Sequence, residues 1–188
     1  MAVPKILMLG VFLVLAICLA SVSGCDEKAD DGPKTADVKL DGKSFKLDLA
    51  LEDQTRFRGL SGRAEIPADG GMLFVFPDSA VQQHSFVMRD CPVDIDIIYL
   101  DKTGRIVAMH EMKAETPRTD EEKPLSGGPG VPDWAKTNNK YEQRLKRYPS
   151  KFPAQFVIEL KGGTISQLKL KNGDKIDVDT KGLKKRAK

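Results

Sequence analysis

The residues between Val38 and Val178 place their apolar side chains in short runs bounded by Gly, Pro, Asn and Asp. That punctuation suits strands and tight turns and leaves no stretch for a long helix. Val38 to Leu40 and Ser44 to Leu49 alternate around Asp41 and Gly42, the pattern of a hairpin. Gly71 to Phe76 is continuously apolar between Gly70 and Pro77, which predicts a strand covered on both faces. Ser85 to Met88, Ile95 to Leu100, Arg105 to Met109 and Ala154 to Leu160 read as further strands, and Lys175 to Val178 closes the series. Asp53 to Arg58 predicts two helical turns ended by Gly59, while Trp134 to Arg147 and Thr164 to Leu168 give further helical signals. Pro117, Pro124, Pro129 and Pro132, with three glycines among them, predict a long surface loop over residues 116–133. The expected fold is mostly β with α+β decoration: an antiparallel sandwich or jelly-roll-like barrel with two or three short helices.

Ahead of this domain, Lys5 precedes an apolar run from Ile6 to Ala20 and then small residues, the architecture of a signal peptide. The run is shorter than the roughly 20 residues that span a bilayer. Val22-Ser23-Gly24-Cys25 resembles the lipobox of bacterial lipoproteins, in which the Cys becomes the acylated first residue. The resemblance implies a lipoprotein signal peptide over 1–24, lipid such as palmitate on Cys25, and export to a membrane-anchored place at the cell envelope. An ordinary secretory signal that happens to carry a Cys is the alternative. Residues 25–36 are polar and read as a flexible tether, 37–180 as one β-rich domain, and 181–188 as a solvated basic tail. Cys18 would leave with the signal, so Cys91 has no disulfide partner. Loss of Lys5 leaves 29 basic residues against 27 acidic ones. That near balance, with the two signs intermixed, carries no nucleic-acid footprint.

Six segments then fall in a recognisable order: Arg58 to Arg63, Gly71 to Phe76, Phe86 to Asp90, Asp94 to Leu100, Gly104 to Val107 and Pro153 to Leu160, closed by Asn172-Gly173-Asp174. Together they resemble the uncharacterised prokaryotic family called domain of unknown function 192. The resemblance covers nearly all of 38–178 and implies a compact jelly-roll-like β domain, often exported, with no established reaction. The chain departs from the family pattern at Val87, where Trp is usual, and at Arg89 and Asp90, where Lys and Asn are usual.

The chemistry-bearing residues support two classes of function. The first is a non-catalytic binding or accessory domain for a glycan, a peptide or an envelope protein. Its candidate site is the polar belt of Arg58, Arg63, Met88, Arg89, Asp90 and Asp96, drawn from the segments above. Within that belt Arg58 and Asp96 serve equally well as ties between helix and sheet, and Met88 as core. The second class is a metal-assisted hydrolase, for which His84, His110, Cys91, Asp90, Asp94 and Asp96 offer nitrogen, sulfur and oxygen donors, although their spacing matches no zinc motif. A thiol nucleophile at Cys91 would need His84 or His110 beside it. No catalytic residue, metal ligand set or cofactor is assigned. Asp96, flanked by Ile95 and Ile97, needs either a cation, with Arg58 and Arg89 the candidates by type, or several hydrogen-bond donors.

Overall fold

The computed structural model describes residues 32–125, 131–132 and 135–188, which form a single compact unit. The signal peptide and Cys25 lie outside the described residues, as do Trp134 and residues 126–130 of the long loop. Eight strands are present among the described residues: β1 Thr35–Leu40, β2 Lys43–Ala50, β3 Gly70–Val75, β4 Ser85–Phe86, β5 Ile95–Leu100, β6 Ile106–Met112, β7 Tyr148–Pro149 and β8 Phe156–Lys161. Helices α1 (Asp53–Arg58), α2 (Asn139–Arg144) and α3 (Thr180–Arg186) join them.

Six strands form one sheet in the order β1-β2-β3-β8-β5-β6, and β4 pairs with β7 in a second, two-stranded one. The β-rich fold with three short helices is the expected one, in its sandwich-like rather than its barrel form, because the sheet stays open. It is also mixed: β2 and β3 run parallel, with Leu47 opposite Gly71 and Leu49 opposite Leu73. The cause is α1, which carries the chain back across the sheet so that β3 starts at the same end as β2.

The central sheet is buried on both faces, which is why Gly70–Val75 is buried at every position. One core, over Val38, Leu47, Leu73, Ile98 and Ile158, is closed by Leu168, Ile176 and Leu183. The other, over Met72, Phe74, Ile97, Tyr99 and Val157, is closed by Leu60, Ile66, Met88, Cys91 and Tyr148. Gly71 permits this packing at the sheet centre, since a Cβ there would stand 2.2 Å from the Glu159 carbonyl oxygen.

Several boundaries differ from the expected ones. β1 starts at Thr35 and so takes in the last two residues assigned to the tether, because Thr35 and Ala36 pair with Asp48 and Leu47. Lys175 to Val178 forms isolated bridges, Lys39 to Asp177 and Arg105 to Lys175, in place of a full strand. The helix expected over 134–147 is only Asn139–Arg144, because Asn138 caps it by accepting from Lys140 and Tyr141 N–H. The basic tail is not a solvated end but α3, capped by Asp179, with Leu183 buried in the first core. Its last residue is tied in as well, with Lys188 N–H donating to the Leu51 carbonyl at 2.9 Å.

Candidate functional site

α1 presents no buried residue, so it lies over the edge of the second core rather than sealing it. Gly59 ends it at φ 53°, a conformation other residues rarely adopt, and a Cβ there would come within 3.3 Å of the Phe74 ring. Between α1, the Leu60–Ser61 turn and the segment from His84 to Cys91 remains a pocket of about 410 Å³. Its walls are Phe57, Phe74, Phe76 and Phe86, with Val87 beside them. Phe74 meets Phe86 edge to face at 5.1 Å, and Phe76 stacks on His84 at 3.8 Å.

Glu159 lines this pocket. It belongs to β8, the strand flanked on both sides, where its neighbours across the ladders are Met72 and Ile97. The residue is only 5% exposed. Its carboxyl accepts no hydrogen bond from any described residue. Burial pushes its pKa from an ordinary 4.5 up to about 8, against the opposing pull of the Arg63 charge. Nothing in the sequence reading singled out Glu159, and it is the residue that gives the pocket its chemistry.

Among the described residues, three of the four arginines that line the pocket or act on its carboxyl are already engaged. Arg56 donates to the carbonyls of Leu51 and Val75 at 2.5 and 2.9 Å and pairs with Asp53 at 2.6 Å. Arg63 pairs with Asp48 at 2.8 Å. Arg89 makes a two-pronged pair with Glu142 of α2, both contacts 2.7 Å, and lies over the Phe57 ring at 4.4 Å. Arg58 lines the pocket with its side chain exposed and no ion pair among the described residues.

The expected polar belt is therefore not one site. Arg58 and Arg89 share the pocket, and Arg63 acts on it only through its charge. Met88 is fully buried in the second core. Asp90 faces the long loop: Arg118 grips its carboxylate at 2.6 and 2.8 Å. Burial works to raise the Asp90 pKa, but Arg118 outweighs it and the net shift is downward. Asp96 alternates with the residues of the second core and so points to the opposite face of the sheet from Glu159. Its partner is not Arg58 or Arg89 but a backbone cradle, with Ile165 N–H donating at 2.6 Å and Gly163 and Thr164 assisting. Burial dominates there too and raises the Asp96 pKa.

The thiol reading fails on geometry and on acidity. Cys91 and His84 both line the pocket, but His110 bonds the Pro149 carbonyl at 2.8 Å and packs on Tyr99 and Tyr148 away from it. Burial, helped by the Glu159 charge, pushes the Cys91 thiol up to about 12, and burial lowers the pKa of His84. Such a thiol is a small core hydrophobe rather than a nucleophile. Among the described residues no three His, Cys, Asp or Glu side chains converge as metal ligands.

An open mixed sheet, covered on both faces and carrying an aromatic pocket lined by a buried carboxyl, defines a small β-rich domain. The model of one family, DUF192, described as an uncharacterized ACR, matches residues 36–178. The chain belongs to the DUF192 family. No curated protein matches it. Its fold is similar to that of a candidate transcription regulator from Sinorhizobium meliloti 1021, at 20% identity and TM-score 0.54, over 78% of this chain and 96% of that one. A protein of unknown function from Novosphingobium aromaticivorans DSM 12444 is similar to the same degree, at 20% identity and TM-score 0.53, over 80% and 90%. These likenesses bear on the fold.

Proposed function

We propose that this chain is a lipoprotein anchored at the cell envelope through Cys25, and that its domain holds a small ligand in the pocket over Glu159 without transforming it. The observation that carries the binding half is a carboxyl 5% exposed, facing a pocket of about 410 Å³, with no donor supplied by the described residues. Buried polar groups are satisfied in folded proteins, so a carboxyl left open to a concave, aromatic-walled space is completed by what enters it. The anchoring half rests on the run from Ile6 to Ala20 followed by Val22-Ser23-Gly24-Cys25. No described helix is long and apolar enough to cross a membrane, so a lipid on Cys25 is the anchor this reading requires. Nucleophilic catalysis loses its support with the Cys91 thiol, and metal-assisted hydrolysis finds no ligand set among the described residues.

The test has two arms on the full chain expressed in bacteria. Fatty-acid label should enter the parent and be absent from Cys25→Ser; label persisting on that variant overturns the anchor. Native mass spectrometry of the parent should show a small-molecule adduct that Val87→Trp, which fills the pocket, excludes. An adduct unchanged by Val87→Trp removes the ligand from this pocket.

A further inference from the structure

We infer that the ligand of the Glu159 pocket is an organic cation, a primary amine on a compact apolar body, seated with its ammonium on the Glu159 carboxyl. This rests on the reading of the pocket as a ligand site and names the chemistry it selects.

Of the two acids that line the pocket, Asp53 and Glu159, only Glu159 is buried, and the protein gives it apolar neighbours. Met72 and Ile97 flank Glu159 across the two ladders, and Phe74 lies beside it on the same face. The carboxyl has acceptor capacity and no donor among the described residues, and an ammonium brings three donors and a full charge to that place. The walls favour the same charge, since aromatic faces attract cations and repel anions. The Phe57, Phe74, Phe76 and Phe86 rings also give an apolar body a dry surface to bury.

The charged groups around the pocket do not reverse this preference. From α1, Asp53 and Arg56 neutralise each other, and from the turn that follows, Arg63 is held by Asp48. From the strip that crosses the mouth, Arg89 is neutralised by Glu142, Cys91 stays a thiol, and burial holds His84 toward its neutral form. Among the described residues that line the pocket, Arg58 is the cation without an ion pair, and it is exposed, where water and salt screen it. An anion would meet favourable charge only at Arg58 and would meet the buried Glu159 as well.

Three probes of one shape separate the possibilities on the full chain: phenethylamine, phenethyl alcohol and hydrocinnamate, followed by NMR titration of the resonances of Phe86, Val87 and Glu159. The expected result is that the amine binds about tenfold or more tightly than the alcohol, the scale of one charge-assisted hydrogen bond in a dry site. Glu159→Gln, an isostere that needs no proton to stay neutral and so folds, should abolish that preference. Val87→Trp should weaken all three. If the alcohol or the carboxylate matches or exceeds the amine, or if Glu159→Gln keeps the preference, the cation assignment is overturned while the pocket stands as a ligand site. If none of the three perturbs the pocket resonances, both the assignment and the site fall.

Discussion

Two carboxylates, Asp96 and Glu159, occupy the same kind of place: a single acid inside an otherwise apolar strand. The sheet sends them to opposite faces and gives them opposite surroundings. Asp96 receives the amides of the 163–165 turn, whereas Glu159 receives nothing from the described residues. Its raised pKa makes Glu159 a source of pH-dependent instability. An acid whose folded pKa lies above its unfolded value costs nothing below the unfolded value, where both states hold the proton. Stability is then lost as pH climbs, because only the unfolded chain releases the proton cheaply. For Glu159 that window runs from about 4.5 to about 8. Urea melts should show the parent losing on the order of 3 to 5 kcal/mol relative to Glu159→Gln between pH 4 and pH 9. A constant gap between the two proteins across that range would refute the shift. Cys91 offers a second check at this scale. With its thiol pushed up to about 12 it should resist iodoacetamide at pH 8, and peptide mapping should find it alkylated only after unfolding. Asp96 was visible in the sequence as a problem needing partners. Glu159 posed the same problem, but Ala154 to Leu160 also fits a strand with a solvated polar position, and only the cover on both faces of the sheet makes that position interior.

The elements divide by whether their signal was local. The β1–β2 hairpin, β3, β5 and α1 with Gly59 follow from runs and turn residues that act within a few positions, and they appear where the sequence placed them. Elements set by distant contacts did not read through. Lys175 to Val178 has the pattern of a strand, yet the edges it meets at Lys39 and Arg105 allow only isolated bridges. The segment after Asp179 has the composition of a solvated tail, yet Leu183 finds the first core and α3 forms around it. Most helical stability in proteins comes from such packing rather than from propensity, and seven residues alone would not hold a helix. Leu183→Ala should therefore cost about 2 to 4 kcal/mol in a denaturant melt, the range for truncating a buried leucine. A change under about 0.5 kcal/mol, the surface scale, would return the segment to the solvated tail. Asn138 acts both within its own helix and beyond it. Beyond capping α2 it donates to the carbonyls of Glu121 and Lys123, both at 2.9 Å, so the Asn that breaks the longer helix fastens the shorter one to the loop.

At the scale of the whole molecule, the long excursion between β6 and β8 is tied to the pocket by charge. Both the Arg118 guanidinium, at 3.7 Å, and that of Arg144, at 4.7 Å, lie over the Tyr141 ring. Its hydroxyl accepts from the Asp90 N–H at 2.8 Å, holding the residue that follows Arg89 at φ 53°. Arg144 in turn grips Glu122, whose side chain closes a capping box with Thr119. This network places Glu142 of α2 where it can orient Arg89 in the pocket wall over Phe57. The excursion is thus a buttress for one side of the site, and the coupling is measurable without a ligand. Both members of the Arg89–Glu142 pair are 19% exposed, so the pair is neither solvated nor fully buried. A double-mutant cycle of Arg89→Ala and Glu142→Ala should give a coupling energy of about 1 to 3 kcal/mol, above the range of exposed pairs. Glu142→Ala alone should be the more damaging of the two to the pocket, because it leaves a guanidinium beside an aromatic wall with no counter-charge, whereas Arg89→Ala removes the cation as well. In the NMR spectrum of Glu142→Ala the resonances of Phe57 and Val87 should therefore move, and those of Leu183, in the core on the far face of the sheet, should not. Additive losses in the cycle, with the pocket resonances unmoved, would show that the excursion packs on the domain without supporting the site.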